Sequence, residues 1–593
     1  MLELFVMPRL APQRLRHGPL ELYVQSFEGD PDLQPLIAGL SCSSPVIWLD
    51  SARHHPVTGR WSILGYDPWL TLLVRGSRIE LRTGAATHMW RDEPLRALRE
   101  ILRRYHIQAD RTQVPLRAVG LLGFLSYDLN RWIERLPSPQ PSPHPVPEML
   151  WYGMRRVVLV DHLEERSWVV CLVDPHRPSG VARREALEAL EQMNTQLACR
   201  GPIDPSTRAP AMAGGPSLGM SPPTRRGVVL SERPSTPLRT LVPSPSRDER
   251  SESKDDGSGA PGLPGGPHEA TGTEVLPWIA VEPPRLEATS TQAEFERMVS
   301  RALEHIGAGD IFQANLSQRF STSWADIGRR SPSARVPWGA GEGSALHETR
   351  AWALSQALRE INPSPFACFL SCDELSVVSC SPERLVRVQE GRIDTRPIAG
   401  TRPRGATSTE DAIKSLELLV SEKERAEHLM LVDLARNDLG RVCVGGSVQV
   451  GELMGLEAYS HVFHIISDVS GRLRKRADAV DVIRAVFPGG TITGCPKVRC
   501  MQILRTLEPV PRGLYTGSLG TLGFDGTLDL NIAIRTMLIQ GEQLTFHVGA
   551  GIVADSDPER EYHETLAKAQ ALMIALQSVQ ASGSGVGGHA CTD

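Results

Sequence analysis

A chain of 593 residues, 41% hydrophobic and 22% charged, is long enough for more than one folded core and has the composition of an ordinary globular protein. Its 64 basic and 69 acidic residues leave a net charge of -5, which argues against a nucleic-acid surface; no apolar run reaches the ~18 residues that a membrane-spanning helix needs. The ten cysteines contain no C-x-x-C pair, a pattern of free or buried thiols in a reducing cytoplasm rather than of a disulfide framework or a zinc site.

Residues 20–199 read as one region of strands with a few helices. VIWLDS and GRWSILGYDPWLTLLVRG are rich in β-branched and aromatic residues and are punctuated by Gly, Asp and Pro. LRALREILRRY has apolar residues at helical spacing, and a hairpin and a helix close the region near Leu197. Residues 200–280 are dense in Pro, Gly, Ser and Arg and cannot bury enough apolar surface to offset chain entropy, which predicts a disordered linker acting as a tether. A second, shorter insertion of low order is predicted over 328–348. Patterning returns over 289–580, with strands and helices alternating, and 581–593 is a Gly/Ser-rich tail.

Within 289–580, Ser421–Val442 predicts a helix, because strong helix formers dominate and no Pro or Gly precedes Gly440. Glu424 and Glu427 share one side of it with Leu431, a stripe that suggests partial burial. EREYHETLAKAQA repeats the device: Glu561, Glu564 and Lys568 share a stripe that runs into Leu572. Two such helices face to face would make an all-oxygen site suited to Mg2+; each alone is equally an ordinary solvated face, since E-x-x-E is common.

GGTITGCPK and VGAGIVADSDP offer runs of backbone N–H groups that suit an anion, though neither matches a phosphate loop and both also suit tight turns. No G-x-S-x-G elbow and no Cys/His arrangement marks a nucleophile. His461 and His464 sit three apart in an apparent strand, facing opposite sides. From the residues alone the chain reads as a metal-dependent enzyme acting on a small anion.

PIAGTRPRG, KERAEHLMLVDLARNDLGRV, FPGGTITGCPKVRCMQIL, IAIRT and GAGIVADSDPEREYHET, in this order, closely resemble the chorismate-utilising enzymes. Within that family the wording resembles the large subunits of aminodeoxychorismate synthase and of anthranilate synthase. The resemblance implies an α+β fold of packed antiparallel β-sheets surrounded by helices. It also implies one Mg2+ held by Glu427 and Glu564, with Glu424 and Glu561 supporting through water. Glu383 matches the acid that protonates the departing 4-hydroxyl, and Gln313, Thr491, His464 and Lys497 complete the implied catalytic set. Tyr515, Arg535 and Gly551 match positions that hold the enolpyruvyl carboxylate, with Gly549, Ala550, Lys568, Gly400 and Thr401 also at substrate-binding positions.

Gln313 stands where water-using relatives carry a Lys, and an amide is no base at neutral pH, so amination is favoured over hydration. Asn315, FPGGTITG, DLNIAIRT and WLDS resemble the aminodeoxychorismate group, whereas Ala399 in PIAGT resembles the anthranilate group. The implied reaction is amination of chorismate to 4-amino-4-deoxychorismate, with anthranilate formation as the alternative. No glutaminase motif is present, so a glutamine amidotransferase subunit is the implied ammonia source. A third reading is an idle subunit that only binds chorismate or a glutaminase.

Overall fold

Two long strands, Trp61–Arg75 and Met149–Asp161, hold the architecture together by pairing along nearly their whole length. Their register slips between Pro68 and Leu70, beside Asp67 at φ 60. Proline cannot donate to the ladder and Asp tolerates the left-handed region, so this is where the ladder bends. Each long strand thereby places its two halves in two different sheets.

The first sheet runs Gln13–His17, Leu20–Glu28, Arg166–Val173, the far half of Met149–Asp161, the near half of Trp61–Arg75, Val46–Asp50, Phe366–Cys372, Leu375–Ser381, Thr536–Gln540, Gln543–Ile552 and Gln313–Ser323. The second runs Ala86–Arg91, Arg78–Thr83, the other halves of the two long strands, Gly120–Leu125, Ser518–Gly523, Leu528–Asn531, Arg384–Gln389, Arg392–Thr395 and Val469–Arg472. These pairings are antiparallel. Strands from before residue 200 thus pair with strands from after residue 360 in both sheets.

This computed structural model describes residues 13–17, 20–40, 44–52, 58–84, 86–108, 119–137, 141–142, 144–177, 179–198, 285–327, 344–372, 375–405, 407–458 and 462–582. All belong to one unit formed by Met1–Ile203 and Trp278–Asp593. The second unit, Asp204–Pro277, lies outside the described residues, as do most of the predicted 328–348 insertion, His461 and nearly all of the tail.

One apolar core lies between the sheets, joining Leu22, Ile47, Ile63, Leu370 and Val377 of the first to Leu72, Leu121, Leu519 and Leu530 of the second. The opposite face of the first sheet, including Trp48, Leu64, Phe369 and Met537, is covered by the helices Ser179–Ala198, Ser344–Ile361 and Pro558–Ser582 through Leu190, Leu354, Leu358, Leu572 and Leu576. Each such leucine contributes about 1.5–3 kcal/mol by leaving water. The fold is therefore α+β, packed antiparallel sheets with helices outside.

Two local expectations change. The stretch before Ser421, not among the predicted elements, is a helix of its own, Ser408–Val420. Ser421 separates it from Glu422–Gly440 because its backbone is extended (ψ 111) and its side chain accepts the Glu424 N–H as an N-cap. The predicted strand His461–Val469 is two strands, Val462–Ile466 and Val469–Arg472; the first belongs to a separate three-stranded sheet with Ile398–Pro403 and Gly455–Ala458.

Candidate active site

Two helix starts meet at the site. Ser421 caps Glu422–Gly440, and Asp557 caps Pro558–Ser582 by accepting the Arg560 N–H at 3.0 Å. Each cap fixes where the first turn begins and so aims an E-x-x-E pair. Glu427 is largely buried; desolvation first, then the charges of Glu424 and of Glu564 on the other helix, raise its carboxyl above the ordinary range. Glu561 is raised by burial and by Glu564, and Lys423 of the first helix lowers both Glu427 and Glu561. The four carboxylates therefore form one electrostatic cluster built from distant parts of the chain. Oε2 of Glu561 is buried without a hydrogen-bond partner among the described residues. Burial against like charge with an unsatisfied oxygen is costly unless a cation arrives, so the residues present fit a divalent ion.

The floor under this cluster is the antiparallel pair Gln313–Ser323 and Gln543–Ile552, in register Asn315 to Gly551 and Ser317 to Gly549. Gln313 Nε2 donates to Glu427 Oε1 at 2.5 Å, and Gln313 Oε1 is buried without a donor among the described residues. A Cβ on Gly551 would stand 3.0 Å from Gln313 Nε2 and 3.5 Å from Glu427 Oε1, so the missing side chain keeps space open beside the carboxylate. Gly549 leaves similar room: a Cβ there would lie 2.8 Å from Tyr515 Oη and 2.9 Å from Asn315 Oδ1. Lys568 Nζ bridges Glu564 at 2.7 Å and the Gly549 carbonyl at 3.0 Å. Ala550 faces away, buried in a cluster with Leu316 and Ile503, so only its backbone is open to a ligand on this side.

Across the cleft, Glu424 accepts from Arg402 Nη1 at 3.0 Å. Gly400, at φ 64, lies so close that a Cβ would be 3.0 Å from Glu424 Oε2. Its carbonyl contacts His464 Nδ1 at 3.2 Å, and Thr401 is paired with His464 in the ladder. Glu383 is fully buried, and desolvation pushes its carboxyl up to about 7. Thr491 Oγ1 donates to it at 2.9 Å, and the Ile398 N–H and the Arg535 charge partly offset the rise. A void of about 30 Å³ connects Glu383 and Thr491 to Leu431 and Asp438 on the first carboxylate helix.

The model of the chorismate binding enzymes matches residues 279–574. The aminodeoxychorismate synthase component 1 of Bacillus subtilis is 34% identical over 531 residues, covering 90% of this chain and 91% of that protein. The chain belongs to the chorismate-binding enzymes. An anthranilate synthase component I-like protein of Synechocystis is 50% identical over 299 residues, half of this chain and 57% of that protein's length. The crystal structure of anthranilate synthase component I from Streptococcus pneumoniae superposes with a TM-score of 0.61 at 26% identity, covering 88% of this chain and 94% of that one. The relatives of this chorismate-utilising enzyme thus carry both names.

The chorismate-binding motifs did not single out two partners. Asp438, three turns beyond Glu427 on the same face, takes Lys497 Nζ at 2.5 Å, and Lys497 also donates to the Val486 carbonyl at 3.1 Å. Its position on the Glu427–Leu431 stripe was the available signal. Arg402 gave none, because its pairing with Glu424 depends on a strand and a helix meeting in space. Among the described residues no helix is long and apolar enough to cross a membrane.

Proposed function

We propose that this protein is the large subunit of aminodeoxychorismate synthase, converting chorismate and ammonia to 4-amino-4-deoxychorismate and water. The observation that carries the reading is the pairing of a fully buried Glu383, its carboxyl near 7, with an amide rather than an amine at Gln313. An acid of that pKa holds its proton at neutral pH and can give it to the departing 4-hydroxyl. Thr491 donates to Glu383 Oε1 and so fixes the orientation of the carboxyl. Gln313 cannot deprotonate water, but its unsatisfied Oε1 can accept a hydrogen bond from an incoming ammonia.

Ammonia is already nucleophilic, so addition at C2 with loss of the 4-hydroxyl needs no base. In the absence of a lysine at Ala399, a second ammonia adds at C4 as the first nitrogen leaves C2. Glu427 and Glu564 would hold Mg2+, with Glu424 and Glu561 reaching it through water. Mg2+ suits such a site because it takes few protein carboxylates and keeps waters and substrate oxygens. When bound, the ion would neutralise the ring carboxylate and draw electrons from the ring. Arg535, Tyr515 and the open backbone at Gly549 and Gly551 would receive the enolpyruvyl carboxylate, for which a guanidinium offers two parallel N–H donors. A separate glutamine amidotransferase would supply the ammonia.

Anthranilate formation is the second reading, favoured by Ala399 and by the Synechocystis relative. Incubating the chain with chorismate, Mg2+ and ammonium separates them. A product that an added lyase converts to 4-aminobenzoate supports the proposal, fluorescent anthranilate supports the second reading, and no consumption of chorismate leaves an idle binding subunit.

A further inference from the structure

A cavity of about 350 Å³ lies on the same strand face as the cleft, beyond Tyr515, and is lined by Arg319, His547, Tyr515, Thr545 and Asp128 among others. Arg319 and His547 are register partners, two residues along from Ser317 and Gly549. Tyr515 separates the two spaces: its ring stacks on His547 with centroids 5.2 Å apart and planes at 10°. The cavity is therefore a neighbour of the cleft rather than part of it.

Two of its side chains are chemically incomplete. Arg319 is half-buried, yet among the described residues its guanidinium makes no ion pair, and its Nε is buried without an acceptor. Burial alone lowers its pKa, the mark of a cation with nothing to compensate it. His547 is fully buried; one ring nitrogen meets the Pro511 carbonyl, and Nε2 has no partner among the described residues. Burial and the nearby Arg319 and Arg512 charges hold the ring neutral, so Nε2 presents a lone pair. The other charges are already engaged: Glu148 is paired with Arg131, and Arg512 binds Glu508 at 2.7 Å. Asp128, pushed up to about 6 by burial, is still mostly ionised at neutral pH, and its charge is set against those of Arg505 and Arg131. Arg319 and His547 Nε2 thus offer a guanidinium without an ion pair and an acceptor without a partner among the described residues, in a space large enough for a ring.

We propose that this cavity binds a small hydroxycarboxylate, its carboxylate on Arg319 and its hydroxyl donating to His547 Nε2. An ammonium donor is disfavoured, because four arginines, Arg75, Arg131, Arg319 and Arg512, line the space against two carboxylates, Asp128 and Glu148. Because His547 stacks on Tyr515, an occupant would also hold Tyr515 against Gly549; that coupling rests on the proposed substrate role of Tyr515, whereas binding itself does not.

The test is calorimetric titration of the full chain with 3-hydroxybenzoate, using benzoate and 3-hydroxybenzyl alcohol as controls that each lack one group. The hydroxycarboxylate binds, and each control binds about tenfold or more weakly. Arg319→Gln and His547→Phe each weaken binding by about 10- to 100-fold, while Glu427→Gln in the cleft leaves it unchanged. Without ligand, Arg319→Gln melts at or above the wild-type temperature, since it removes an uncompensated buried cation; if His547→Phe fails to fold, Arg319→Gln alone decides. Absence of binding, binding lost in Glu427→Gln but kept in Arg319→Gln, or a lower melting temperature for Arg319→Gln overturns the proposal. None of these outcomes depends on which product chorismate yields.

Discussion

Two kinds of buried carboxylate have opposite surroundings in this protein. Glu508 accepts from Arg512 through both oxygens, at 2.7 and 2.9 Å, and from the Ser317 N–H and hydroxyl at 2.9 and 2.8 Å. It is fully compensated and ties a loop to the sheet. Glu427 and Glu561 are buried beside like charge, Glu383 is buried with only neutral donors, Thr491 and the Ile398 N–H, on its carboxyl among the described residues, and all three carboxyls are raised. The contrast teaches how to sort buried acids: a complete set of partners marks a structural role, and a deficit marks a place kept for substrate or ion.

The contrast breaks most visibly at Glu427. Glu427→Gln removes a proposed ion ligand and should reduce chorismate turnover by about a thousandfold, the equivalent of several kcal/mol, with the melting temperature maintained at neutral pH. Retention of activity would remove it from the site. Glu508→Gln should do the reverse, costing about 3–5 kcal/mol of stability by stranding Arg512, as measured by denaturant unfolding.

Glu383→Gln sharpens the comparison because it acts on both properties. Turnover should fall by about 10²- to 10⁴-fold. The folded carboxyl, at about 7 against 4.5, binds its proton more tightly than the unfolded one, so it favours folding at low pH and that contribution is lost as pH rises from 4.5 to 7. The wild type should therefore lose about 3 kcal/mol across that window relative to Glu383→Gln, and the variant should be the more stable at pH 8. Equal pH dependence of the two melting curves would mean Glu383 is not desolvated. Gly400→Ala should have the smallest effect, about 1–2 kcal/mol, from the left-handed backbone and pressure on Glu424.

Much of the site was legible because its residues come in short local patterns. Two E-x-x-E turns, each aimed by a cap three or four residues before, put Glu424, Glu427, Glu561 and Glu564 on predictable helix faces. Glycines at 400, 549 and 551 marked places of close approach. What escaped depends on non-local pairing. Arg402 with Glu424, and Lys497 with Asp438, meet only after strands and helices far apart in the chain have packed. The division of Trp61–Arg75 between two sheets was also hidden, since Asp67-Pro68 reads locally as a turn and only the partner strand shows that the ladder continues through it. Ser421 was readable as a helix start, but not as the end of a preceding helix, because Ile413, Leu416 and Val420 on Ser408–Val420 are exposed and its apolar residues form no single buried stripe.

The claim on which the rest depends is that carboxylates from two distant helices share one divalent ion. Thermal unfolding in ammonium-free buffer with chorismate, with Mg2+ titrated in, tests it directly. The account predicts a melting temperature that climbs with Mg2+ in the wild type and stays flat in both Glu427→Gln and Glu564→Gln. An equal climb in all three proteins would contradict it.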